Sequence, residues 1–167
     1  MGVTLAKFDV SEIDRQGITD RHKIVIADCV LAWATFDSQF RAMLTAIEDR
    51  PLDLGALEYS RLKTGQAWQK LRKRLKDRGA TEAVLEVVKS LEVSYKIHID
   101  ARNIISHAGC VGVWKVDSEY LVFAPFEALT PGEMVIIRQP LEVVERSTRW
   151  ARAFSVLADK ILRDLGY

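Results

Sequence analysis

The amino-acid sequence predicts a mainly α-helical fold: a four-helix, up-and-down-type bundle with a small β-hairpin insert between the third and last helices. Along four stretches, apolar residues recur every three or four positions, which is the period of a helix with one buried face. Between residues 110 and 138 the apolar period shortens towards two, which indicates strands. The chain has 167 residues, 49% of them hydrophobic, and is long enough to bury a core. We therefore expect a single domain over residues 1–167.

The first predicted helix spans residues 20–48. Residues 1–18 have no helical period and predict an irregular N-terminal arm, after which Thr19 or Asp20 offers a side-chain oxygen that can cap a helix. An aromatic stripe at helical spacing follows in Trp33, Phe36 and Phe40. Pro51 then ends this helix, because proline cannot donate a hydrogen bond in a helix interior.

Three further helices are predicted by the same period. The second covers residues 57–78 and is closed by Gly79, since glycine readily adopts the left-handed conformation that ends many helices. The third covers 81–106. The last covers 140–166 and begins with Pro140, a residue that fits the first turn of a helix.

The predicted insert at residues 110–138 consists of two or three short strands. Its apolar runs are residues 111–116, 120–123 and 134–137. Turn-forming residues separate these runs, at Asp117-Ser118 and at Thr130-Pro131-Gly132.

Charge and composition exclude several classes of protein. The formal net charge is +1, so any binding of nucleic acid must come from a local patch rather than from bulk attraction. Cys29 and Cys110 are the only cysteines, which favours reduced thiols in the cytoplasm over a disulfide framework. We find no signal-peptide pattern at the N-terminus and no apolar stretch long enough to span a bilayer. We expect a cytoplasmic protein without a membrane partner.

The densest polar cluster lies at the end of the third predicted helix. It consists of Asp100, Arg102, Asn103, Ser106 and His107. Histidine titrates near neutrality and suits proton transfer, whereas arginine keeps its charge and offers a forked donor for phosphate oxygens. Asn103 can add a neutral donor or hold His107 in one tautomer. These groups suit acid–base chemistry beside a phosphate, so Arg102, Asn103 and His107 are the candidate catalytic residues.

The segment Arg102-Asn103-Ile-Ile-Ser-His107 resembles the Arg-x4–6-His motif of the HEPN superfamily, in which many members are metal-independent ribonucleases. The asparagine after the arginine and the helical layout add to the resemblance. It implies an RNA substrate, a composite site in a homodimer, no cofactor, and a role as a toxin or defence effector that a partner antitoxin neutralises. In some HEPN toxins the residue two positions after the histidine is a tyrosine that the partner modifies. Here it is Gly109, so the resemblance does not extend to that modification.

Helical geometry separates the two charged members of the motif. At about 100° per residue, Arg102 and His107 point about 140° apart in projection, whereas Asn103 and His107 share a face. Joint action of Arg102 and His107 therefore needs one of two arrangements. Either the helix unwinds before Gly109, or two copies of the chain combine their motifs.

Three carboxylates are candidates to support the motif from nearby. Asp100 lies on the same side of the helix as His107, and Asp28 interrupts the most apolar run of the first helix. Asp37 either pairs with Arg41 one turn later or helps to orient the motif. No pair of histidines or cysteines has a zinc-ligand spacing, so we expect no metal site.

The second predicted helix carries a basic stripe that could follow a phosphate backbone. Its weaker candidates for RNA binding are Arg72, Lys73, Arg74 and Lys76. The alternative is a solvated face whose long side chains cover apolar surface. Trp68 could stack on a base, but it falls on the apolar stripe and is predicted to be core.

Three functions fit the sequence. The first is a HEPN-like endoribonuclease that uses His107 as acid and base and Arg102 as phosphate ligand. The second is a non-catalytic module of the same fold that binds RNA or a nucleotide. The third is a purely structural interaction protein.

Overall fold

The computed structural model describes residues 10–51, 55, 58, 59, 62–125 and 136–164, and within them the protein is mainly helical with a small antiparallel sheet. The helices are α1 (Asp20–Ile47), α2 (Thr64–Asp77), α3 (Glu82–His107) and α4 (Leu141–Asp164). The strands are β1 (Ile13–Asp14), β2 (Ala108–Trp114), β3 (Tyr120–Pro125) and β4 (Ile137–Pro140). None of the described helices is both long and apolar enough to cross a membrane.

The helix boundaries agree with the sequence pattern except at the start of the second helix. Helices α1 and α3 lie within one residue of the predicted 20–48 and 81–106 at each end. The predicted helix 57–78 is interrupted rather than continuous, because residues 58 and 59 are helical but Lys63 is extended and α2 begins at Thr64. There the Lys63 backbone N–H donates to Gln66 Oε1 at 3.2 Å, and the Gln66 backbone N–H donates to the Lys63 carbonyl oxygen at 2.9 Å, which fixes the first turn. The predicted end of the last helix at 166 lies outside the described residues.

The sheet is larger than the predicted insert because the N-terminal arm contributes an edge strand. Its order is β1-β2-β3-β4 and all three pairings are antiparallel. In β1, Ile13 pairs with Trp114, so the predicted irregular arm of residues 1–18 contains regular structure. Gly112 permits this pairing, since its φ is +152° and a Cβ there would meet the Asp14 carbonyl oxygen at 2.5 Å. Residues 126–135 of the predicted insert lie outside the description.

Two compact units divide the described chain. The sheet unit comprises the described residues of 1–33 and 98–150, and the aromatic unit those of 34–97 and 151–167. In the sheet unit, one core cluster is formed by Val113, Leu121, Phe123 and Leu141. Residues of α1 and α3, among them Ile26 and Ile105, pack against that cluster.

The aromatic unit is named for its core. Phe40 and Trp68 have ring centroids 4.5 Å apart, and Phe36 and Phe154 have centroids 4.7 Å apart. Trp68 has no exposed surface, so it is a core residue, as its place on the apolar stripe predicts. Such rings bury large apolar areas and hold the helices that carry them.

One buried carboxylate organises the ion pairs of the aromatic unit. The Glu48 side chain is only 3% exposed and lies 2.6 Å from Arg74 Nε and 3.5 Å from Lys70 Nζ. The hydroxyl of Tyr59 also donates to it. Burial raises the pKa of Glu48, but the hydrogen bonds from Tyr59 and Arg74 and the charge of Lys70 outweigh that effect and bring it below its ordinary value.

We expect Glu48→Gln to lower the free energy of unfolding by about 2 kcal/mol at neutral pH, because the buried amide carries no charge to pair with Arg74 and Lys70. The stabilisation from Glu48 should be complete above the unfolded pKa of about 4.3 and should disappear as pH falls through the lower folded value. Urea unfolding across a pH series measures both effects.

The matched control is Glu58→Gln, which removes an exposed carboxylate of the same ion cluster, one that pairs with Lys70 at 3.0 Å. It should cost much less stability, since exposed pairs contribute little. Equal losses for the two variants would contradict a central role for Glu48.

Candidate functional site

The predicted motif lies on regular helix up to its last residue. Helix α3 continues to His107, and β2 begins at the next residue, Ala108. The helix is therefore continuous from Arg102 to His107, so unwinding within the motif does not bring these two side chains together. Arg102 and His107 remain about 140° apart around the helix axis.

Arg102 is half-buried and held by neighbouring groups. Its Nη1 donates to Asn103 Oδ1 at 3.3 Å, which joins the first two members of the motif. Burial raises the pKa of the Cys29 thiol, while hydrogen bonding with Thr148, the charge of Arg102 and hydrogen bonding with Ser147 oppose that shift. The positive charge of Arg102 thus acts on the buried thiol of Cys29 in α1.

His107 has a different environment from Arg102. It is exposed at the C-terminal end of α3, and its side chain forms no hydrogen bond or ion pair with the described part of the chain. Asp100 and Ser106, which complete the polar cluster, are exposed as well. The motif is therefore split into a half-buried Arg102–Asn103 pair and a solvent-facing imidazole.

A buried serine fixes the helix that carries the motif. The Trp33 indole N–H donates to Ser147 Oγ at 2.9 Å, and that hydroxyl donates to the His98 carbonyl oxygen at 2.8 Å. The Trp150 ring stacks on Trp33 and on His98, with centroids 5.5 and 5.6 Å apart. His98 lies one helical turn before Arg102, so this network sets where the motif stands against α1 and α4.

Sequence reasoning missed Ser147 because nothing local marks it. A serine in the middle of an amphipathic helix is ordinarily assigned to a polar face. Its partner Trp33 is 114 positions away in the chain. The available signal was that Ser147 and Thr148 interrupt the apolar face of α4.

The predicted supporting carboxylates fall in different units. Asp28 is half-buried on α1 in the sheet unit, which also contains the motif. Asp37 belongs to the aromatic unit, and its predicted partner Arg41 donates to the Leu62 carbonyl oxygen at 3.3 Å. The supporting roles of Asp28, Asp37 and Asp100 remain predictions.

The basic stripe on α2 separates into two classes of side chain. Arg72 forms an ion pair with Glu92, and Arg74 with Glu48. Lys73 and Lys76 are exposed and form no ion pair within the described residues. Two of the four predicted RNA-binding cations are thus engaged within the protein and two face solvent.

No group of three or more histidine, cysteine, aspartate or glutamate side chains in the described ranges is arranged to hold a metal ion. Both cysteines are free thiols. No protein family, curated protein or solved structure matches this chain. The site is therefore interpreted from its own residues.

We expect Ser147→Ala to lower the free energy of unfolding by about 1–3 kcal/mol, because it leaves the buried Trp33 N–H without an acceptor. Ser155→Ala is the control, since the Ser155 hydroxyl is also buried but has no hydrogen-bond partner among the described residues. That variant should be nearly neutral. Urea unfolding of both proteins measures the difference, and equal stabilities would contradict the importance of the Ser147 network.

Proposed function

We propose that this protein is a HEPN-like, metal-independent endoribonuclease of the toxin or defence-effector type, acting at a site formed by two copies of the chain. The observation that carries the proposal is the environment of the motif. A half-buried arginine is joined to the following asparagine, and an exposed histidine stands at the end of the same helix. The same proposal includes the up-and-down bundle that the resemblance implies. It also includes neutralisation by an antitoxin.

The three residues have distinct roles in the proposed reaction. His107 takes the proton from a ribose 2′-hydroxyl, whose oxygen attacks the adjacent phosphorus, and the imidazolium so formed then gives a proton to the leaving 5′-oxygen. Arg102 stabilises the negative charge that develops on the pentacovalent phosphorus. Asn103 accepts from the guanidinium and so holds it in one orientation, which lowers the cost of ordering it on the phosphate.

Two features support a second copy of the chain as part of the site. The first is the angular separation of Arg102 and His107 on one continuous helix. The second is an apolar surface on α1 in the sheet unit, where Ile24 and Leu31 are 60% and 65% exposed. A surface helix ordinarily turns polar residues to solvent, so an apolar outer face favours a protein partner.

We expect the native protein to cleave labelled single-stranded RNA in excess chelator and His107→Ala to lose at least about a hundredfold in rate, the size of a typical acid–base contribution. Ser106→Ala, which changes the exposed neighbouring residue, should keep the native rate. Circular dichroism establishes that all three proteins fold.

Two results would contradict the proposal. Cleavage that chelator abolishes would contradict a metal-independent reaction. Equal rates for the native protein and His107→Ala would contradict the role of the histidine. RNA binding without cleavage by either protein would support the non-catalytic module instead.

The composite site predicts complementation between inactive variants. Suppose that each site takes its arginine from one copy and its histidine from the other. In a heterodimer of Arg102→Ala and His107→Ala, one site then contains the native Arg102 of one chain and the native His107 of the other. Mixing the two inactive proteins should therefore restore cleavage. Size-exclusion chromatography of differently tagged chains confirms exchange, and exchange without any restored activity would contradict the composite site.

A further inference from the structure

The aromatic unit contains a groove with a charged rim. It has a volume of about 540 Å³ and lies between α2 and α3. The residues that matter to the argument are Arg72, Lys73 and Lys76 of α2, and Leu85, Glu86 and Lys89 of α3. Leu85 and the aliphatic stems of the lysines supply apolar surface, while the charged ends of the long side chains reach solvent.

The ion pairs of this unit show which cations at the groove are available to a ligand. Arg72 is held by Glu92, whose side chain is only 9% exposed. Lys73 and Lys76 are exposed and have no ion-pair partner in the described residues. Being three positions apart on α2, they project from neighbouring points of one helix face.

The opposite wall adds a weakly engaged pair. Lys89 Nζ lies 3.3 Å from Glu86 Oε1, and the two side chains are 63% and 58% exposed. Such an exposed pair contributes little to stability and exchanges readily with water or a ligand. A phosphate could therefore attract Lys89 away from Glu86, whereas the Glu86 carboxylate itself opposes an anion in the groove.

We propose that this groove binds the backbone of single-stranded RNA, with Lys73 and Lys76 as its phosphate ligands and Glu86 as an opposing charge that limits affinity. That the ligand is RNA, rather than another polyanion, rests on the proposed function. Lysine offers a flexible point charge that suits a backbone whose phosphates vary in position. Contacts of this kind bind without reading sequence, so we expect the groove to hold single-stranded RNA of any sequence.

The experiment measures binding separately from cleavage. Fluorescence anisotropy follows a labelled single-stranded RNA of about 16 nucleotides, a length within the range of known single-strand sites, bound to His107→Ala protein. This background allows binding to be measured even if the native protein cleaves RNA. Lys73→Ala and Lys76→Ala, singly and together, are compared with Lys160→Ala, which removes one exposed positive charge from α4 of the same unit.

We expect the double variant to bind RNA about tenfold more weakly at about 0.1 M salt. The slope of log affinity against log salt concentration should be smaller in magnitude by about 1.4, which is about 0.7 for each lost phosphate contact. Lys160→Ala should bind as the parent does. Glu86→Gln should bind RNA more tightly, a gain that a purely structural role for this wall would not produce.

Three outcomes would overturn the inference: no RNA binding by the parent, unchanged affinity and salt slope in the double variant, or equally tight lysine-dependent binding of an acidic peptide. Lysine-dependent RNA binding by a protein that cleaves nothing would uphold the groove and count against the proposed ribonuclease function alone. The two proposals therefore fail separately.

Discussion

The buried hydroxyl of Ser147 is the constraint on which the placement of the motif depends. It accepts the indole N–H of Trp33 and donates to the backbone of His98, so one group joins α1, α3 and α4 within the sheet unit. A buried donor without a partner is costly, and this network therefore tolerates little displacement of the three helices. Because His98 is one turn from Arg102, the position of the guanidinium follows from a contact made elsewhere in the helix.

The arginines and lysines of the basic stripe on α2 differ in whether they form ion pairs. Arg72 and Arg74 reach carboxylates that are almost fully buried, where a rigid forked donor loses little entropy on binding. Lys73 and Lys76, on the same helix, remain in solvent. A basic stripe in the sequence thus divides into cations that hold the aromatic unit together and cations available to an anion.

The motif shows a similar division. Arg102 is joined to Asn103 and acts on the buried Cys29 thiol, whereas His107 stands in solvent at the end of α3. An arginine that is already oriented binds phosphate with a smaller loss of conformational freedom. An exposed imidazole can exchange protons with water, but it needs a second surface to exclude solvent during the reaction. In the proposed function, a second copy of the chain provides that surface.

The sequence by itself determined the helical class, the boundaries of α1 and α3 and the burial of Trp68, because helical periodicity and helix-ending residues act within a few positions of the chain. It also identified the Arg102-Asn103-x3-His107 segment as the main polar cluster. Tertiary structure decided the rest. The pairing of Ile13 with Trp114, the Ser147 network and the neutralisation of Arg72 and Arg74 each join residues at least 20 positions apart. Such contacts depend on where helices and strands pack, which no local pattern encodes.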